Sequence, residues 1–275
     1  MAQDTSSERN RVTGVFDRAA ATYDRVGPRF FGHFGQRLTE LAQIAPGQRV
    51  LDVAAGRGAV LFPAAERVGI SGRVVGIDFS EEMVRATAAE IAHWPQAEMR
   101  RMDAEHLEFP DATFDRVLCG FALWFFPNPH AALLEFLRVL RPGGSVTLTT
   151  WANDNPSQLF SSSVLRPYLP VGRVGAGNPD SPRFNTLNEL RAGLEQAGFT
   201  DVRAVVEERD FVYGSGDDWW ATLWSVGTRN NLEKLDAPVL EKVKADGIGQ
   251  LENFRQPDGF HIIHRALVGF GSKPR

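Results

Sequence analysis

The sequence predicts an α/β protein built on a mostly parallel sheet with helices on both faces. Two observations carry this. Between residues 49 and 151, short apolar or β-branched runs alternate with segments of helical periodicity, and such alternation means parallel strands joined by right-handed crossovers. Within that region, Val50-Leu51-Asp52-Val53-Ala54-Ala55-Gly56-Arg57-Gly58, followed by Ala59-Val60-Leu61-Phe62, reads as strand, tight turn, helix. This is the opening unit of a nucleotide-binding sheet. A Cβ at either glycine would block a ligand from the backbone, and the helix start offers free N–H groups. A dinucleotide fingerprint would need a third glycine at position 61, where Leu61 stands.

The elements follow in order. Residues 1–10 read as disordered. Residues 11–45 read as two helices broken near Gly27-Pro28, with Phe30, Phe31, Phe34, Leu38 and Leu41 at helical spacing. Ala45-Pro46-Gly47-Gln48 is a turn into the first strand. The helix after Gly58 runs to about Val68 and stops at Gly69. Arg73–Asp78 is a second strand. Ser80 caps the next helix, and Glu81 and Glu82 complement its dipole. Ala97–Met102 is a weak third strand, 104–113 a loop, and Phe114–Phe121 a fourth strand. Pro127 and Pro129 precede a helix whose Leu133, Leu134, Leu137 and Leu140 face the sheet. Arg141-Pro142-Gly143-Gly144 is a turn, and Ser145–Thr150 a fifth strand. Residues 152–185 form a loop-and-helix segment, Leu187–Ala197 a helix, Val202–Tyr213 a sixth strand, 217–256 helices and Phe260–Phe270 a final strand.

Composition narrows the function. With 275 residues, 43% hydrophobic and 23% charged, the chain can bury a full core. A net charge of −4 speaks against a nucleic-acid partner. The single cysteine excludes an internal disulfide and any multi-cysteine metal site, and no metal is expected. No apolar run suits a membrane span and no signal peptide is visible, so the expected location is cytoplasmic. The chain carries 19 Phe and 6 Trp against 3 Tyr, and all the Trp and much of the Phe fall outside the expected sheet core.

Ligands of an open α/β sheet sit at the carboxyl ends of its strands. There the sequence places Ala54, Ala55 and Gly56, then Asp78, then Asp103, then Gly120 and Phe121. Asp78 either accepts hydrogen bonds from both ribose hydroxyls or is an acid at a helix N-terminus. Asp103 with the Ala104 N–H suits an adenine edge, or is a solvated loop acid. Phe79 and Met83 cover adenine and ribose, or pack into the core.

The pieces LDVAAGRG, VVGIDFSEEMV, RMDAEHLEFPDATFD and LRVLRPGG, in this order and spacing, resemble the class I S-adenosylmethionine (SAM) methyltransferases, in the broad group containing ubiquinone and menaquinone biosynthesis enzymes. The likeness covers about residues 12–151. It implies a Rossmann-like seven-stranded sheet of order 3-2-1-4-5-7-6 with an antiparallel last strand, and SAM as cofactor. It implies that Asp52 orients the glycine loop (Ala54, Gly56, Gly58) and the methionyl end, that Asp78 binds ribose, and that Asp103 and Ala104 bind adenine. The Phe121 carbonyl would meet the methionine amine. The segment AATYD resembles the family's N-terminal lid, so Tyr23 would close over the methionyl carboxylate or the methyl.

Methyl transfer from a sulfonium needs alignment rather than a catalytic motif, and none is visible. Among scattered histidines, mostly structural or exposed, His33 in the lid is the best base should the acceptor need deprotonation. The aromatics Phe30, Phe31, Trp124, Phe125, Phe126, Trp219, Trp220 and Trp224 lie in the lid, the loop after strand four or the late helices, where the family's acceptor pocket lies. Of these, Phe30, Trp124, Phe125, Trp220 and Trp224 are assigned to the pocket. The set implies an apolar, bulky, neutral acceptor, a terpenoid, polyketide or quinone-like metabolite methylated on carbon or oxygen. The expected organisation is a helical lid over 1–45 and a SAM-binding domain over 46–275, with segments 152–185 and 217–256 covering the acceptor. An NAD-dependent oxidoreductase and a non-catalytic SAM-binding protein are the alternatives. The N-terminal segment could cap its own site or a neighbour's, leaving a homo-oligomer open.

Overall fold

A computed structural model describes residues 5–169 and 182–275. Eight strands form one sheet: β1 (Arg49–Val53), β2 (Arg73–Asp78), β3 (Ala97–Arg101), β4 (Phe114–Gly120), β5 (Leu140–Trp151), β6 (Thr200–Tyr213), β7 (Arg255–Gln256) and β8 (Gly259–Ser272). Their order is β3-β2-β1-β4-β5-β8-β6, with the two-residue β7 paired to β8 outside this path. The pairs among β1 to β5 are parallel, and β8 runs antiparallel to β5, β6 and β7. With β8 as the seventh long strand, this is the expected order.

The period of two along the central strands sorts residues into two cores. Leu51, Val53, Val117, Cys119, Val146 and Leu148 face one layer, which receives α5 (Pro129–Val139) and α7 (Leu187–Gln196). Val50, Val74, Leu118 and Val268 face the other, covered by α2 (Phe30–Leu41) and α3 (Leu61–Val68). A third cluster joins α6 (Pro156–Leu165), α8 (Gly216–Ser225) and α10 (Ala237–Leu251) to the far end of β8. Helix starts follow their caps. The side chains of Ser80, Asn128, Asn155, Thr186, Ser215 and Asp236 each accept a first-turn backbone N–H; Ser80 does so for α4 (Glu81–Glu90).

Several expectations need correction. Helix α1 (Thr5–Ala19) already runs through residues 5–10, and residues 1–4 lie outside the described part. Leu134 is exposed, because α5 buries Ala132, Leu133, Phe136 and Val139, one face at helical spacing. Leu140 belongs to β5. The sequence 141–144 is not a free turn: Gly143 N–H donates to the Lys273 carbonyl and Lys273 N–H to that of Gly144, which draws the segment into the sheet beside the end of β8. The register irregularity between Phe114 and Arg116 absorbs the extra length. Residues 255–256 turn back as β7 instead of staying helical. Of the 152–185 segment, residues 170–181 lie outside the described part.

Helix α2 sits directly on the start of α3. A Cβ at Gly35 would lie 2.1 Å from the Ala59 carbonyl oxygen, so only glycine permits the approach. Gly35→Ala should destabilise the chain by about 1–3 kcal/mol in denaturant unfolding. In contrast, Gly249→Ala in α10, where nothing lies within 4 Å of the new methyl, should stabilise it by roughly 0.5–1 kcal/mol.

Candidate active site

Three cavities meet over the carboxyl ends of β1, β2 and β4. The first, about 120 Å³, is lined by Ala54, Gly56, Asp78, Phe79, Met83, Asp103, Ala104 and Phe121, with Val12, Thr13 and Phe16 of α1 above them. The second, about 290 Å³, runs along the glycine loop past Asp52, Gly56 and Gly58 to Gly120 and Thr149. The third, about 310 Å³, lies between β5, β8, α6 and α8. Tyr23 and Phe121 wall all three.

The first cavity is built around Asp78. Its Oδ2 accepts the Gly56 N–H and its Oδ1 the Ser80 N–H, both at 2.9 Å. The carboxylate thus ties the glycine loop to the start of α4, and each oxygen keeps a lone pair for a hydroxyl donor. Burial pushes its pKa up to about 6, although the Ser80 and Gly56 N–H groups pull it down. The loop is held from behind by Thr87, whose hydroxyl donates to the Gly56 carbonyl at 2.8 Å. Ala54 and Phe121 both adopt positive φ, +56° and +54°, a costly conformation for residues with a Cβ. Two strained turns thus face one another across the site. The Phe121 N–H is shared between the Thr149 carbonyl and hydroxyl, at 3.0 and 3.2 Å. Asp103 accepts the Glu105 N–H at 3.0 Å, which leaves the buried Ala104 at the apex of a tight turn.

Asp52 is fully buried on the apolar α2/α3 side of β1, and neither carboxyl oxygen has a hydrogen-bond partner. Burial first, then the nearby Asp78 charge, holds its pKa well above the usual range. An orphaned carboxyl lining the second cavity is suited to a cationic ligand group.

Helix α1 and the segment after it are tied down by named contacts. Asp17 of α1 accepts the Ser80 hydroxyl at 2.5 Å. Arg57 of the glycine loop bonds both the Ala20 carbonyl and Glu90, and Arg25 joins Glu90 at 2.5 Å. Tyr23 stacks on Phe31 with centroids 5.1 Å apart. Burial, with the charges of Asp24 and Asp78, raises its pKa, so it stays a neutral phenol.

The third cavity has one aromatic and one polar wall. Phe30, Trp124 and Phe125 line it, together with Trp151 and Trp219. Trp220 and Trp224 do not line it. Along α8, positions 219, 222, 223 and 226 face inward, while Trp220 and Trp224 pack edge to face on the neighbouring side, 6.2 Å apart. His33 lines none of the three cavities; its ring lies against Phe34 and Phe211. The histidine that faces the cavity is His264, 3% exposed, with Nε2 3.2 Å from the Tyr213 hydroxyl. Burial pulls its pKa down to about 3, so it is neutral. Its position was readable: Phe260, Ile262, His264 and Ala266 share the buried face of β8 at a period of two. The polar wall includes Asn155, Ser157, Gln158, Ser161 and Asn231.

Comparison with known proteins agrees with this geometry. Residues 51–148 match the model of a methyltransferase domain family. The chain is 37% identical over 253 residues to nocamycin O-methyltransferase of Saccharothrix syringae, covering 86% of this chain and 89% of that protein. It is 36% identical to demethylmenaquinone methyltransferase of Lysinibacillus sphaericus, covering 70% and 88%. The fold matches the crystal structure of a SAM-dependent methyltransferase from Aquifex aeolicus with a TM-score of 0.50 at 16% identity, over 87% of this chain and 89% of that one. The chain belongs to the class I SAM-dependent methyltransferases. SAM is therefore its cofactor, and the NAD-dependent alternative is set aside. Among the described residues no helix is long and apolar enough to cross a membrane.

The Asp78 environment fixes the sign of a pH effect. Its folded pKa, about 6, lies above the unfolded value near 3.8, so its contribution to the ligand-free fold weakens as pH rises through that window. With Asp78 as the partner of the cofactor's hydroxyls, the role proposed below, the ionised form accepts them best, so SAM affinity should rise between about pH 5 and 7. Asp78→Asn should flatten that rise and weaken SAM by about ten-fold or more; calorimetric titration at several pH values reads both.

Proposed function

We propose that this methyltransferase acts on a bulky, largely apolar small molecule, a quinone-like or polyketide-like secondary metabolite, at oxygen or carbon. The observation that carries this is the meeting of a cavity built around Asp78, a cavity with an orphaned carboxyl and an aromatic-walled cavity at Tyr23 and Phe121. The named substrates of the two relatives above support the class.

Bound SAM supplies an electrophilic methyl on sulfur and leaves as the neutral thioether. The chain's residues position the reactants. Asp78 would accept the ribose hydroxyls, Asp103 and the Ala104 N–H would read adenine, and Phe79 and Met83 would flank the nucleoside. Asp52, the loop at Ala54, Gly56 and Gly58, and the Phe121 carbonyl would hold the cationic methionyl end. Residues 5–45 would act as the lid, bringing Tyr23 over the junction and excluding water there. Residues 152–169, 182–185 and 217–256 would cover the acceptor. Alignment supplies most of the acceleration. His264, held neutral, accepts from an acceptor hydroxyl and orients it, in place of the role expected of His33. The negative net charge favours a small-molecule enzyme over a nucleic-acid modifier.

The test is release of S-adenosylhomocysteine with a panel of hydroxyanthraquinones, prenylated naphthoquinols and apolar phenols. For any acceptor turned over, Trp219→Ala should raise KM several-fold without altering SAM affinity, and Trp220→Ala should leave KM unchanged. The reading fails if SAM binds and no member of the panel is methylated, or if the two variants behave alike.

A further inference from the structure

Asn155 caps α6 at the end of the cavity nearest β8. It is 1% exposed. Its Oδ1 accepts two backbone N–H groups, from Arg265 at 3.0 Å and Ser157 at 3.3 Å. Backbone N–H groups can meet only the oxygen end of the amide, so the orientation of the side chain is determined. The Nδ2 is left buried and without a partner, in a residue that lines the aromatic-walled cavity beside Trp151 and His264. An unpaired buried donor costs stability unless something fills its place, and the two bonds accepted at Oδ1 polarise the amide and strengthen it as a donor. No cap requires this: Asp at the same position would cap α6 equally well.

We propose that Asn155 is a specificity-determining residue that donates from Nδ2 to a carbonyl-type oxygen of the acceptor. The inference rests on the reading of this cavity as the acceptor site and adds the polar group that the acceptor must carry. Sites built to hydrogen-bond a substrate group discriminate strongly against analogues without it, because the buried donor is then left unpaired. The acceptor would be an aromatic or polycyclic skeleton seated among Phe30, Trp151 and Trp219, with an oxygen directed at the start of α6.

The cavity carries its own reporter, since Trp124, Trp151 and Trp219 line it and a bound quinone or arene quenches their fluorescence. The experiment measures dissociation constants of 2-methylanthraquinone and 2-methylanthracene for the full chain saturated with S-adenosylhomocysteine. The two probes differ only in the ring carbonyl oxygens. The wild type should prefer the quinone by about ten-fold or more. Asn155→Asp keeps both accepted backbone bonds and, ionised at alkaline pH, removes the donor, whereas Asn155→Ser keeps a cap for α6 and lacks the amide nitrogen; each should abolish that preference while leaving hydrocarbon affinity near wild type. A wild type without preference for the quinone overturns the inference, as does an Asn155→Asp variant that retains it. Binding of S-adenosylhomocysteine with no binding of either probe overturns instead the acceptor class on which the inference rests.

Discussion

Each oxygen of Asp78 holds a different part of the chain, one the glycine loop through Gly56 and the other the start of α4 through Ser80. Much of the site's geometry depends on this carboxylate. The loop it fixes begins at Ala54, which is forced into positive φ. The helix it starts supplies Met83 to the cavity and Thr87 to the back of the loop. Ser80 in turn anchors α1 through Asp17. Sheet, loop and lid are therefore coupled through a group whose ionisation is itself disfavoured by burial. Two buried carboxyls, Asp52 and Asp78, thus lie close together, each with its ionised form disfavoured by burial.

The sheet was legible in the sequence because its strands are buried on both faces and carry strong local signals. Val50–Val53, Val74–Ile77 and Ser145–Thr150 read as strands from composition alone. The positions ending those strands were legible for the same reason, since a ligand at the carboxyl edge follows from topology. What was not legible depended on long-range packing. The segment at Arg141–Gly144 contains Pro-Gly-Gly, a local turn signal, yet pairing with Lys273 more than a hundred residues away keeps it in the sheet. Residues 5–10 are polar, and nothing in their periodicity reveals that α1 extends through them.

The lining of the third cavity divides on one point of register. Trp219, Trp220 and Trp224 are close in sequence, and a helix 100° per residue places them on different faces. The inward face is set by α10, where Gly247 leaves room for the indole of Trp219. A residue 28 positions downstream thus decides which tryptophan reaches the cavity. The polar wall was hidden for another reason. Asn155 reads as an ordinary helix cap, and only the arrival of the Arg265 N–H at the same oxygen shows that its nitrogen is left over.

Phe16 and Tyr23 wall both the first cavity, beside Asp78, and the third, beside Trp151. Helix α1 and the turn after it are thus a single door serving two rooms. A movement of α1 large enough to open one chamber also opens the other, and α1 is fastened across the site by the Asp17–Ser80 bond. Access to the two chambers is coupled by construction.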